Sequence, residues 1–86
     1  MFRKKSQRRR NNFEVIADIL RISKKGAKKT RIVYGANLNF KIFEEYLTDL
    51  MHKGLVTYSE KSDNLIKTTE KGEEFLRQFN DLTVLA

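Results

Sequence analysis

YGANLNF, residues 34–40, lies between two segments that each read as helix, and it leaves only the four residues 35–38 to stop one and begin the next. Gly35 has no Cβ, so two helices approach closely there and the backbone turns sharply. Leu38 plugs the corner, while the short side chains of Asn37 and Asn39 satisfy loose backbone groups. A four-residue link between a short helix and a longer one fits a helix-turn-helix and fits an ordinary helical hairpin equally well. The flanking residues decide between them.

Upstream, KKTRIVYG (residues 28–35) makes the short helix, with Ile32 and Val33 as its apolar contribution and Ala36 just beyond. Lys28, Lys29, Thr30 and Arg31 crowd its first turn. Cations at a helix N-terminus oppose the dipole, at about a few tenths of a kcal/mol each. Their presence suggests an external anion and tips the choice to a helix-turn-helix, against a merely solvated face. Downstream, a helix over 39–53 has Asn39 as N-cap and Phe40, Phe43, Leu47, Leu50 and Met51 on one face, with Ile42 and Tyr46 alongside. Gly54 suits a Schellman ending that packs Leu55 on Leu50.

Farther out, residues 12–24 read as a first helix. Asn11 or Asn12 caps it, Glu14 favours its first turn, Phe13, Ile16, Ala17 and Leu20 form its stripe with Ile19 and Ile22, and Gly26 ends it. After Gly54, LVTYSE (55–60) and LIKTT (65–69) read as two strands joined by KSDN (61–64), where Asp63 or Asn64 accepts positive φ. Thr69 then caps a last helix in which Gly72 is tolerated at modest cost. Its apolar face of Phe75, Leu76, Phe79 and Leu82, with Val84 and Leu85 beyond, is expected to join two copies of the chain; packing on the first and third helices is the alternative.

The fold class is therefore mainly α with a small β-hairpin: a winged helix-turn-helix of three helices, a wing and a C-terminal helix. Expected divisions are a basic flexible arm over 1–11, the domain over 12–69 and the C-terminal helix over 70–86.

The charge is +7 over 86 residues, and its distribution matters more than its size. Residues 1–31 hold twelve Lys/Arg against Glu14 and Asp18, whereas residues 32–86 hold six against nine acids. Such a one-sided field attracts polyanions. Nucleic acid and an anionic membrane surface are the candidates, and the arm MFRKKSQRRRNN has almost no apolar anchor for a membrane. Arg8, Arg9 and Arg10 are expected to lie along phosphates or enter a minor groove. No cysteine is present, His52 is the lone histidine, and Glu44/Glu45 and Glu73/Glu74 lie on polar faces near basic residues. The expectation is no enzyme, no metal, no cofactor, no small-molecule ligand and no membrane span, in a cytoplasmic, nucleoid-associated protein.

The stretches GAKKTRIVYGANLNFKIFEEYLTDLMHKGLV (26–56) and KTTEKGEEFL (67–76) resemble the small archaeal winged helix-turn-helix DNA-binding proteins and predicted transcriptional regulators over roughly residues 12 to 79. The shared features are a Lys-Thr-Arg-Ile helix, an Ala-Asn-Leu turn and a Thr-Glu-Lys-Gly entry to the last helix. The resemblance implies a binder of double-stranded DNA, often a homodimer through its C-terminal helix. It places DNA contacts at Lys28, Lys29, Thr30, Arg31, Asn37, Asn39 and Lys41. Tyr34 of the second helix and Lys61 at the tip of the hairpin complete the candidate set. Members with long coiled coils have more heptads than fit after Thr69, so any interface here is shorter or differently built. With the third helix in the major groove, Asn39, Lys41 and Glu45 are the expected readers, while the second helix and the arm meet phosphates. The alternative is a protein-interaction or RNA-binding module of the same fold.

Overall fold

The computed structural model describes residues 10–85, and its elements run α1 (Asn12–Ile22), α2 (Lys29–Gly35), α3 (Phe40–His52), β1 (Val56–Ser59), β2 (Ser62–Thr68) and α4 (Glu70–Leu85). No helix among the described residues is long and apolar enough to cross a membrane.

α1 begins with a capping box: Glu14 N–H donates to Asn11 Oδ1 at 2.8 Å, and Asn11 N–H donates back to Glu14 Oε1 at 3.0 Å. The helix ends at Ile22, two residues earlier than its pattern suggests. Its buried stripe is Val15, Ala17, Ile19 and Leu20, because α2 packs on one side and α4 on the other. Phe13, expected in that stripe, is left 61% exposed at the α4 edge, where its ring stacks on Phe75 at 6.3 Å.

Gly26 takes positive φ (99°), but beyond the end of α1 rather than as its stop. It turns the chain so that Ala27 exchanges both backbone hydrogen bonds with Ile66 at 2.8 and 2.9 Å. This single bridge adds a third position to the hairpin's sheet. One residue of pairing has no periodicity, so the sequence gives no warning of it.

The core continues with Ile32, Val33 and Ala36, then Phe43, Leu47 and Leu50, then Leu55, Val56, Ile66 and Leu76. Phe40 and Ile42 depart from the expected third-helix face, at 49% and 38% exposure. α3 closes as expected: Leu55 N–H donates to Leu50 O at 2.9 Å and Gly54 N–H to Met51 O at 3.1 Å, with Gly54 at φ 77°.

The strands pair antiparallel, Val56 opposite Thr68 and Tyr58 opposite Ile66, with a register shift after Tyr58. The turn is Glu60–Lys61, earlier than the expected 61–64, and β2 already starts at Ser62. Neither Asp63 nor Asn64 needs positive φ; Asn37 is the one non-glycine residue that has it among those described. Ser59 and Ser62 hydroxyls accept from Lys61 and Asn64 N–H, so serine side chains shape the tip.

Thr68 and Thr69 fasten the end of the hairpin. Thr68 Oγ1 donates to Leu20 O at 2.7 Å and its N–H to Ser23 O at 3.0 Å. Thr69 Oγ1 donates to Gly54 O and accepts from Gly72 N–H at 3.1 Å, which caps α4. Gly72 is not the tolerated residue it looked. A Cβ there would stand 2.3 Å from Leu55 O and 2.6 Å from Thr68 Cγ2. The glycine is required by this close crossing.

Candidate nucleic-acid interface

The link between α2 and α3 divides the work expected of Gly35 between two residues. A Cβ on Gly35 would lie 2.8 Å from Ile22 Cδ1, so its bareness lets α1 and α2 approach. The reversal itself falls to Asn37 at φ 58°. Asn37 N–H donates to Tyr34 O at 3.2 Å and Leu38 N–H to Val33 O at 2.9 Å, a Schellman ending with asparagine in the glycine position. Leu38 is partly buried against the core.

Asn39 Oδ1 accepts from Ile42 N–H at 2.8 Å and so caps α3. That bond changes the part Asn39 is able to play. Bidentate adenine recognition needs the amide oxygen as an acceptor, and here the oxygen is committed to the helix. Asn39→Ala is expected to cost about 1 kcal/mol of stability, whereas Asn39→Asp or Asn39→Ser holds it. Thermal unfolding of the three variants checks this, and equal midpoints for all three would contradict the cap.

Two long-range contacts gather the charges around this turn. Lys29 Nζ lies 3.2 Å from Glu44 Oε2, which binds the start of α2 to the leading half of α3. Arg10 donates through Nη1 to Asp18 Oδ2 at 2.6 Å and through Nη2 to Ala36 O at 2.5 Å. Arg10, expected in the arm as a DNA contact, is thus spent on joining α1 to the turn. Asp18 is further occupied by Arg21 at 3.0 Å. Arg8 and Arg9 lie outside the described residues.

Lys28, Thr30, Arg31, Tyr34 and Lys41 are exposed. Among the described residues, Lys28, Arg31 and Lys41 make no ion pair. On α3 the outward face follows the helical spacing from Lys41 through Glu45 and Thr48 to His52, all exposed. Glu44 is neutralised by Lys29, and Asp49 by Lys53 at 3.0 Å. Glu45 has no such partner among the described residues, so it repels phosphate and confines a close approach to the leading turns of α3.

Lys28, Lys29 and Thr30 also line an open groove with Tyr58, Asp63 and Asn64 of the hairpin. Sequence reasoning did not include Tyr58 or Asn64. The only available signal was an aromatic residue in a strand that faces solvent. Among the described residues no group of three or more His, Cys, Asp or Glu side chains is placed to hold a metal ion.

Residues 9–86 match the family model for the winged helix-turn-helix. The chain belongs to the winged helix-turn-helix family. Two curated relatives come from Methanocaldococcus jannaschii. The uncharacterized protein MJ0287 is 36% identical over 75 residues, covering 86% of this chain and 74% of that protein. The uncharacterized protein MJ0290 is 32% identical over 75 residues, again 86% of this chain but only 34% of the relative, so the chain spans about a third of its length. Among solved structures, Sso10a-2, a DNA-binding protein from Sulfolobus solfataricus, superposes with a TM-score of 0.77 at 28% identity, covering 88% of this chain and 81% of that one.

In winged helix-turn-helix terms α2 and α3 are the two helices of the motif and the β1–β2 hairpin is the wing. Lys61 stands exposed in the turn at the wing's tip, beside the acid Glu60. α4 packs on α1 and places Leu76 in the shared core at 4% exposure. Of the four residues expected at a seam between copies, Leu76 therefore faces inward. Phe75 and Phe79 are partly buried and stack on each other at 6.5 Å, and Leu82 is 67% exposed. With Phe13 they leave an apolar strip along the outside of α1 and α4.

Proposed function

We propose that this winged helix-turn-helix protein binds double-stranded DNA, with the leading turns of α3 in the major groove and phosphates held by Lys28 and Arg31, with Lys41 at the base edges. The observation that carries the reading is the Lys29–Glu44 ion pair, which puts the cationic start of α2 beside the leading half of α3. The likeness to a solved DNA-binding protein supports it. Thr30 and Tyr34 add polar contacts to the backbone, and Lys61 contributes where the wing reaches the duplex. Arg8 and Arg9 are assigned to further phosphates. Asn37 and Asn39 serve by shaping the turn and setting α3, and Lys29 by positioning.

The biological role is transcriptional regulation, exercised on the chromosome in the cytoplasm, with preference among sequences coming from the first two turns of α3. The apolar strip of Phe13, Phe75, Phe79 and Leu82 is assigned to a second copy of the chain. A symmetric pair would present two recognition helices to one duplex. The groove between Lys28, Lys29 and the wing favours a second reading, a contact with RNA or protein, in which duplex affinity would be weak.

Counterion release makes the test quantitative. Each phosphate neutralised steepens the dependence of log affinity on log salt by about 0.9, so the phosphate contacts of Lys28 and Arg31 predict a slope of about −1.8 or steeper for one protomer. Fluorescence anisotropy at several salt concentrations, run beside a mass measurement in solution, reads both slope and stoichiometry. A flat salt response would sink DNA binding, and a monomeric mass at binding concentrations would sink the pair.

A further inference from the structure

Phe40 is the first residue of α3, and half of its side chain is open to solvent although the core is complete without it. Its neighbours fix which way that surface looks. Glu44, one helical turn on and on the same face, is bound to Lys29 at the start of α2. Phe40 therefore lies on the side of α3 that shares a surface with the cations of α2, next to the unpaired Lys41. An exposed phenyl ring beside the unpaired Lys41 and the cationic start of α2 is a poor docking site for an apolar protein segment, which would have to bury those charges as well. It suits a polyanion with an apolar knob.

The base edges of a duplex carry one such knob in the major groove, the 5-methyl group of thymine; all other sequence-bearing groups there are hydrogen-bond donors or acceptors. On the leading turn of α3 the amide oxygen of the polar candidate is already engaged, because Asn39 Oδ1 caps the helix. Phe40 is what remains there besides Lys41. We propose that Phe40 is a specificity-determining residue that reads thymine through its methyl group. The assignment rests on the duplex-binding reading above and adds to it the chemistry by which bases are distinguished.

Burying one methyl-sized group corresponds to about a fourfold change in affinity. The experiment compares short A·T-rich duplexes carrying thymine or deoxyuridine, and G·C-rich duplexes carrying cytosine or 5-methylcytosine, by anisotropy at one salt concentration. The wild-type chain is expected to bind the methylated member of each pair more tightly by about that factor per contact. Phe40→Ala is expected to bind both members equally while keeping its salt dependence, and Phe40→Leu to keep part of the preference; melting curves verify that each variant is folded. Equal wild-type affinity within each pair, or undiminished discrimination by Phe40→Ala, overturns the proposal. Binding to no duplex at all overturns instead the reading on which it rests.

Discussion

Gly72→Ala is expected to lower the thermal midpoint by about 10–20 °C. The new carbon would meet Leu55 O at 2.3 Å, and that carbonyl has no freedom to retreat. It accepts from Thr69 N–H at 3.0 Å, and Leu55 N–H is held by Leu50 O at 2.9 Å in the ending of α3. Overpacking against fixed backbone costs about 3 kcal/mol, a large part of what a domain of this size has to lose. Gly35→Ala is the control. Its Cβ would meet only the far end of the Ile22 side chain, at 2.8 Å, and a rotamer change relieves that contact. Circular dichroism melts give the comparison. Equal midpoints for Gly72→Ala and wild type would show that α4 does not cross the α3–wing junction as closely as described.

Replacing Lys28 and Arg31 together by alanine is expected to have the largest effect on binding. Neither makes an ion pair among the described residues and both are exposed, so removing them frees no acid. A contact whose affinity scales as salt to the power −0.9 contributes about 15-fold at 50 mM and about 4-fold at 200 mM. The double variant should therefore bind duplex about 200-fold more weakly at 50 mM and about 20-fold more weakly at 200 mM, with a slope shallower by about 1.8. Lys29→Ala with Glu44→Gln removes a cation and its own partner, and is expected to leave the slope nearly unchanged. Anisotropy titrations of both double variants decide it. An unaltered slope on losing Lys28 and Arg31 would remove α2 from the binding surface.

The helices and their caps were legible because each is marked locally: Asn11 with Glu14, Asn39 three residues before Ile42, Gly54 after the last apolar residue of α3, and Thr69 before an acidic turn. What escaped was decided by distant partners. Phe13 and Phe40 have helical spacing, but periodicity does not say where the neighbouring element ends, and both lie past the edge of what covers the core. Gly72 looks tolerable in its own helix and is required only because Leu55 and Thr68 pass beneath it. The Ala27–Ile66 bridge joins residues with no shared pattern.

The candidate surface was less legible than the fold for the same reason. Composition identified the cations but not their partners. Arg10 and Lys29 proved to be engaged by Asp18, Ala36 and Glu44, while Lys28, Arg31 and Lys41 stand without ion pairs. Asn39 looked like a reader because asparagine suits adenine, and its oxygen turned out to be the helix cap.

In the proposed function, the start of α2 and the leading turns of α3 form one surface that receives duplex DNA. Amide chemical-shift mapping of the labelled chain during titration with a short duplex at low salt tests it directly. The largest shifts are expected at residues 28–31 and 39–45, with α4 beyond Leu76 nearly silent. Shifts concentrated on the outer face of α4, or none anywhere at saturating duplex, would contradict it.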